Sequence, residues 1–232
     1  MSAPNDSVSD ISVPDASARA IDLSIYLVTD EALCGERGVV QTAIDAVAGG
    51  ATTVQLRHKN ASDEQLLETL LQLAHAISDR ATLLVNDRVD VFTRAKALGA
   101  AVHGVHVGQG DLDPRAVRAL IGEDAILGLS ADSAAHLAAV RALPAGTADY
   151  LGVGAVRATS TKPDHPPVLG IDGFAAVTAQ AALPCVAIGG IGLADAQPLR
   201  RVGAAGIAVV SAICAATDAR EAAAQLREEW SA

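Results

Sequence analysis

Aromatic side chains are scarce: the 232 residues hold two Phe, two Tyr and one Trp. A core built from Ala, Val, Leu and Ile is expected in place of stacked rings, and the scarcity argues against the stacking platforms on which RNA and single-stranded DNA are bound. Positive charge is scarce as well. Seventeen Lys and Arg face 27 Asp and Glu, a net charge of −10, so the total shows no electrostatic footprint for nucleic acid or anionic lipid. Any anionic ligand must be held locally. The three cysteines, Cys34, Cys185 and Cys214, lie far apart and form no CxxC pair, which fits neither a disulfide framework nor a zinc cluster and leaves them as reduced packing residues. No apolar run reaches the roughly 18 residues of a membrane span. The first residues lack the basic-then-apolar order of a signal peptide, so the expectation is a cytoplasmic protein with no membrane partner.

Half of the residues are hydrophobic, and the length suits a single αβ barrel. Residues 1–20, rich in Ser, Asp, Pro and Ala without an apolar period, are expected to form a flexible tail ahead of one catalytic domain over 21–232. From Ile25 onward, short β-branched runs alternate with Ala/Leu-rich segments, the pattern of a parallel sheet covered by helices. Strands are expected at Ile25–Thr29, Thr53–Arg57, Thr82–Val85, Gly104–Val107, Ala125–Leu129, Tyr150–Val153, Cys185–Ile188 and Gly206–Val209. Helices are expected at Asp63–Ser78, Pro114–Ile121, Ser133–Leu143 and Asp172–Ala179, several opened by residues suited to caps or first turns. Eight β-then-α units point to a (β/α)8 barrel; periodicity alone leaves an open doubly wound sheet as the competitor.

In such a barrel, chemistry collects where the strands end, and polar residues do collect there. Gln55, Arg57 and Lys59 share parity on strand two, so all three side chains can face one side while Val54 and Leu56 face the helices. An inward row of this kind is costly without partners; either carboxylates across the barrel or an anionic ligand would satisfy it, and Lys162 with several glycines on the same rim favours the ligand. Asp87 and Asp111, with Asn86 nearby, could form an all-oxygen site of the sort Mg2+ prefers. Taken singly, Asp87 could equally cap a helix and Asp111 shape a turn. Thr159-Ser160-Thr161-Lys162 opens a proline-rich connection running to about Gly170, whose length suggests an active-site lid. Gly189-Gly190 and Val210-Ser211 follow the last two strands, where barrels often bind phosphate through backbone N–H groups, and suggest a second anion site. The six histidines show no metal-ligand spacing. His106 is read as a packed or hydrogen-bonded residue, and His58 as facing helices or solvent.

The ordered set of motifs resembles the thiamine-phosphate synthase family. It comprises Tyr26-Leu27-Val28-Thr29-Asp30, Gln55-Leu56-Arg57-His58-Lys59, Asn86-Asp87-Arg88-Val89-Asp90, Gly104-Val105-His106-Val107-Gly108-Gln109-Gly110-Asp111-Leu112, Gly128-Leu129-Ser130, Asp149-Tyr150-Leu151-Gly152-Val153-Gly154, Thr159-Ser160-Thr161-Lys162, Ala187-Ile188-Gly189-Gly190-Ile191 and Val209-Val210-Ser211. The resemblance implies a TIM-barrel transferase that joins hydroxymethylpyrimidine diphosphate to a thiazole phosphate, releasing diphosphate through a pyrimidine-stabilised carbocation. It implies that Gln55, Arg57, Lys59, Asn86, Ser130 and Lys162 hold the pyrimidine diphosphate, with Arg57, Lys59, Lys162 and Ser130 as the catalytic groups. Asp87 and Asp111 would hold Mg2+, and Thr159, Thr161, Gly190, Val210 and Ser211 the thiazole phosphate. A homo-oligomer is compatible with the resemblance. Three departures stand out: His103 and His58 where acidic residues are common, and Ala155-Val156-Arg157 where a proline and an aromatic residue are usual. Two rival readings are a thiazole tautomerase-like isomerase, which is expected to carry a histidine where this chain has Asp132, and a non-catalytic barrel that binds a thiamine precursor.

Overall fold

The structure is a computed structural model that describes residues 21–159, 161 and 167–232. Eight parallel strands close into a barrel in sequence order: β1 (Ile25–Val28), β2 (Thr53–Leu56), β3 (Thr82–Asn86), β4 (Gly104–Val107), β5 (Ile126–Ser130), β6 (Tyr150–Val153), β7 (Cys185–Ile188) and β8 (Gly206–Val209), with β8 pairing back onto β1. Closure removes the open-sheet alternative. The helices outside it are α1 (Glu31–Cys34), α2 (Gly38–Ala48), α3 (Asp63–Ile77), α4 (Val89–Ala97), α5 (Pro114–Ile121), α6 (Ala134–Arg141), α7 (Gly170–Thr178), α8 (Ala196–Arg201), α9 (Ser211–Cys214) and α10 (Ala219–Ser231).

Alternation along each strand creates two separate apolar layers. Odd positions such as Ile25, Leu27, Leu83, Val85, Leu127, Leu151 and Ile207 pack outward against the helices. Even positions, Tyr26, Val28, Leu84, Ile126, Tyr150, Val186 and Ala208, fill the barrel interior; β2 is numbered in the opposite phase, with Val54 and Leu56 outward and Gln55 lining the cavity. As expected, aliphatic residues dominate the outer layer, joined by Phe92, Phe174 and Trp230. Both tyrosines point inward. The three cysteines are buried free thiols.

Local signals account for the element ends. Ser62 forms a capping box with Gln65 at the start of α3, Asp113 caps α5 ahead of Pro114, and Ser133 caps α6. Strands β4, β6, β7 and β8 have the expected bounds, and the bounds of the other four differ by single residues. Strand β2 stops at Leu56 because the backbone N–H of Arg57 donates to Thr29 Oγ1 (2.9 Å), a side-chain oxygen taking the place of the next ladder carbonyl. Strand β3 runs on to Asn86, which pairs with His106 of β4. The helix expected over Ser133–Leu143 spans Ala134–Arg141, and that expected over Asp172–Ala179 spans Gly170–Thr178. Among the described residues no helix is long and apolar enough to cross a membrane. The tail expected over 1–20 lies outside the described residues.

Candidate active site

The C-terminal ends of the strands surround one cavity of about 390 Å³. Gln55, Arg57, Lys59, Asn86, Asp87, Asp111, Ser130, Thr159, Thr161, Gly190, Val210 and Ser211 all line it, so every described residue expected in the site is brought there. Lys162 lies outside the described residues, as does about half of the expected lid.

The cationic side is built by β2 and its extension. Gln55 is buried and its Nε2 donates to Tyr26 Oη at 2.6 Å. Arg57 is half-buried, with Nη1 3.7 Å from Asp30 Oδ2. Lys59 stands two residues further along the same face, where the charge of its ammonium reaches Asp87. Val54 and Leu56 are in the outer layer, as parity requires. His58 also faces away and pairs with Glu31 (Nε2 to Oε2, 2.5 Å).

The acidic side is built by the turns after β3 and β4. Asp87 is the one described non-glycine residue with positive φ (61°). Aspartate tolerates this left-handed conformation better than most residues, and here its N–H donates to His106 O (2.8 Å). Asp87 does not cap α4, which has no side-chain cap. Its carboxylate accepts from Asn86 Nδ2 (2.5 Å) and contacts that of Asp111. Asp111 does shape its turn, accepting from Gly108 N–H (2.6 Å), so it combines the structural role with a place in the cavity wall. Burial and then the adjacent Asp111 carboxylate push Asp87 up to about 6, against the downward pull of Asn86 and Lys59. Two carboxylates held together in this way are relieved by a cation. No group of three or more His, Cys, Asp or Glu suited to a metal occurs among the described residues. A pair of aspartates across a cavity from cationic and hydroxyl side chains suits an ion that takes few protein ligands and completes its shell with water and other oxygens, as Mg2+ does.

The opposite wall comes from β6 to β8. Thr159 and Thr161 share a hydrogen bond (Oγ1 to Oγ1, 2.8 Å). Gly189 and Gly190 both have positive φ (97° and 62°), and a Cβ on Gly190 would collide with Ala158 O and lie 2.7 Å from Arg157 Cβ. The close approach of these two loops depends on glycine. Arg157 turns to Asp195, its Nε and Nη2 lying 3.0 and 2.8 Å from Oδ1, and so ties the loop after β6 to the loop after β7. Asp132 lines the cavity and pairs with His136 Nδ1 (2.6 Å) one helical turn later.

The residues that sequence reasoning missed form the floor: Tyr26, Tyr150 and His106. His106 is hydrogen-bonded, as expected, to Tyr150 Oη (2.9 Å) and Ser130 Oγ (3.2 Å), and it does so inside the cavity. The signal available was parity, since all three occupy inward strand positions with polar atoms that need partners.

A closed parallel barrel with cations, paired carboxylates and glycine turns on its C-terminal rim defines a phosphate-handling (β/α)8 enzyme. A sequence model described as thiamine monophosphate synthase matches residues 25–213. The chain is 49% identical over 207 residues to thiamine-phosphate synthase of Azorhizobium caulinodans, covering 89% of this chain and 94% of that protein. It is 46% identical over 201 residues to that of Psychrobacter sp. strain PRwf-1, covering 87% and 92%. Among solved structures, thiamine phosphate pyrophosphorylase from Pyrococcus furiosus superposes with a TM-score of 0.77 at 33% identity, covering 90% of this chain and 96% of that one. The likeness to 3-hexulose-6-phosphate synthase (TM-score 0.64, 15% identity) is one of fold alone. The chain belongs to the thiamine monophosphate synthase family.

Proposed function

We propose that this chain transfers the hydroxymethylpyrimidine group from its diphosphate to the ring nitrogen of hydroxyethylthiazole phosphate, giving thiamine phosphate and diphosphate. The transferase activity is that of the family, and its substrates are a small phosphorylated pyrimidine and a small phosphorylated thiazole. The observation that carries the residue assignment is convergence: a cationic wall, a carboxylate pair and a glycine-rich wall face one another across a single cavity.

The bond from the pyrimidine methylene carbon to the diphosphate oxygen breaks, and its electron pair leaves with the diphosphate. The thiazole nitrogen then supplies the pair for the new C–N bond. No proton need move, so no strong base or covalent nucleophile is required. Arg57, Lys59 and Lys162 neutralise the leaving charge, while Gln55, Asn86 and Ser130 orient the pyrimidine half. Preorganised donors of this kind act where charge develops. Thr159, Thr161 and the backbone at Gly190, Val210 and Ser211 hold the thiazole phosphate on the facing wall. Asp87 and Asp111 would hold Mg2+, which when bound supplies further neutralisation of the diphosphate. We place the protein in the cytoplasm and leave room for a homo-oligomer.

The test is to supply purified protein with both phosphorylated precursors, with and without Mg2+, and to follow thiamine phosphate directly. Metal-dependent product is expected. Isomerisation of a thiazole precursor, or binding without turnover, would favour the tautomerase-like or precursor-binding alternatives. The carboxylate pair and the cationic wall, which an isomerase does not require, favour the transferase.

A further inference from the structure

Five polar side chains on five different strands form an unbroken hydrogen-bonded chain across the cavity floor. Gln55 Nε2 meets Tyr26 Oη at 2.6 Å, Tyr26 Oη meets Tyr150 Oη at 2.7 Å, Tyr150 Oη meets His106 Nδ1 at 2.9 Å, and His106 Nε2 meets Ser130 Oγ at 3.2 Å. The strands leave deliberate room for it: a Cβ on Gly128 would lie 2.5 Å from His106 Nδ1 and collide with the Tyr150 hydroxyl, and one on Gly152 would lie 3.1 Å from the imidazole. Tyr26, Tyr150 and Gln55 are almost wholly buried, so a hydroxyl proton aimed away from its neighbours would be left without water to accept it.

Proton counting gives the chain a direction. The Gln55 amide nitrogen can only donate, so Tyr26 Oη accepts from it and turns its single proton toward Tyr150. Tyr150, having accepted, donates to His106 Nδ1. That fixes a neutral imidazole with its proton on Nε2, which donates to Ser130 Oγ. The Ser130 hydroxyl proton is then free to point into the cavity, and the Gln55 Oε1 atom is free to accept there.

We propose that this directional chain, through Tyr26, Tyr150 and His106 as positioning residues, sets an acceptor at Gln55 and a donor at Ser130. It thereby selects an amino-substituted pyrimidine over its oxo counterpart. An exocyclic amino group donates and the adjacent ring nitrogen accepts, matching the two ends; an oxo group with a protonated ring nitrogen reverses both. The proposal rests on the pyrimidine half occupying this floor, as assigned above.

The direction can be measured without substrate. In uniformly 15N-labelled full-length protein, long-range 1H–15N correlation spectra with sequence-specific assignment should show His106 as the Nε2–H tautomer. Tyr150→Phe removes the donor to Nδ1 and should turn that single form into a mixture. In steady-state assays Tyr150→Phe and Tyr26→Phe should raise KM for the pyrimidine diphosphate about 10-fold, the worth of one well-placed hydrogen bond, and leave KM for the thiazole phosphate unchanged. The same variants should lose discrimination against the oxo analogue as a competitive inhibitor. An Nδ1–H tautomer or an imidazolium in the wild-type protein overturns the proposal, as does an unchanged pyrimidine KM in both variants. If Tyr150→Phe does not fold, Tyr26→Phe and the wild-type spectrum decide. A wild-type protein that makes no thiamine phosphate refutes the functional reading instead, and the tautomer still reports on the chain.

Discussion

Asp87 concentrates the chemistry of a single residue: a left-handed backbone, a carboxylate against a second carboxylate, and a place in the cavity wall. Asparagine keeps the backbone preference and the size while removing the charge, so Asp87→Asn is expected to fold and to lose about 10²–10³ in kcat, as is Lys162→Ala. Circular dichroism beside turnover checks both; near-normal turnover in either would remove that residue from the site. The carboxylate also sets a pH dependence. The folded protein holds the Asp87 proton up to about pH 6, whereas the ordinary value is 3.8. The stabilisation from this raised group is therefore complete below pH 4 and is lost as pH rises through 6. In EDTA, the Tm of the wild-type protein should fall relative to that of Asp87→Asn between pH 4 and 7, and Mg2+ should recover the loss in the wild type only. Parallel Tm profiles would show that the two carboxylates do not strain each other.

The loops after β6 and β7 act as one element because glycine lets them touch. Gly190→Ala places a side chain at φ 62° against Ala158 and Arg157, and left-handed backbone alone costs a non-glycine residue about 1–2 kcal/mol. A Tm lower by about 2–8 °C is expected, together with a raised KM for the thiazole phosphate and an unchanged KM for the pyrimidine diphosphate; equal changes in both would show that the turn does not serve one substrate. Elements were legible in the sequence where β-branched runs met punctuation, as at Gly104–Val107 and Cys185–Ile188, which match the observed strands residue for residue. The missed ends have local causes, such as Thr29 Oγ1 replacing a ladder carbonyl at Arg57. The rim was legible because Gln55, Arg57 and Lys59 advertise their common face by parity. Tyr26, Tyr150 and His106 carry the parity signal only singly, one per strand, and their partners come from strands far apart in the chain, so whether one inward polar atom meets another depends on register. The ion pair of Arg157 with Asp195 was hidden for the same reason.

At the scale of the whole molecule the barrel divides its labour between two faces. The rim holds the ligand groups, while near the opposite end the Arg118 guanidinium from α5 is buried, donating to the carbonyls of Thr147, Gly122 and Ala125 and to Asp149 Oδ2 at 2.8 Å. The same Asp149 oxygen accepts from Leu127 N–H (2.7 Å), so one ion pair joins α5 to the starts of β5 and β6. Removing one member of a buried ion pair typically costs about 3–5 kcal/mol. For a chain of this size that corresponds to a Tm lower by on the order of 10 °C. Arg118→Met is therefore expected to melt early, yet at a temperature where it remains folded its kcat and both KM values should equal those of the wild type. A selective loss of turnover in the folded variant would mean that the two faces are coupled and that the ion pair reaches the site through β5, whose last residue is Ser130.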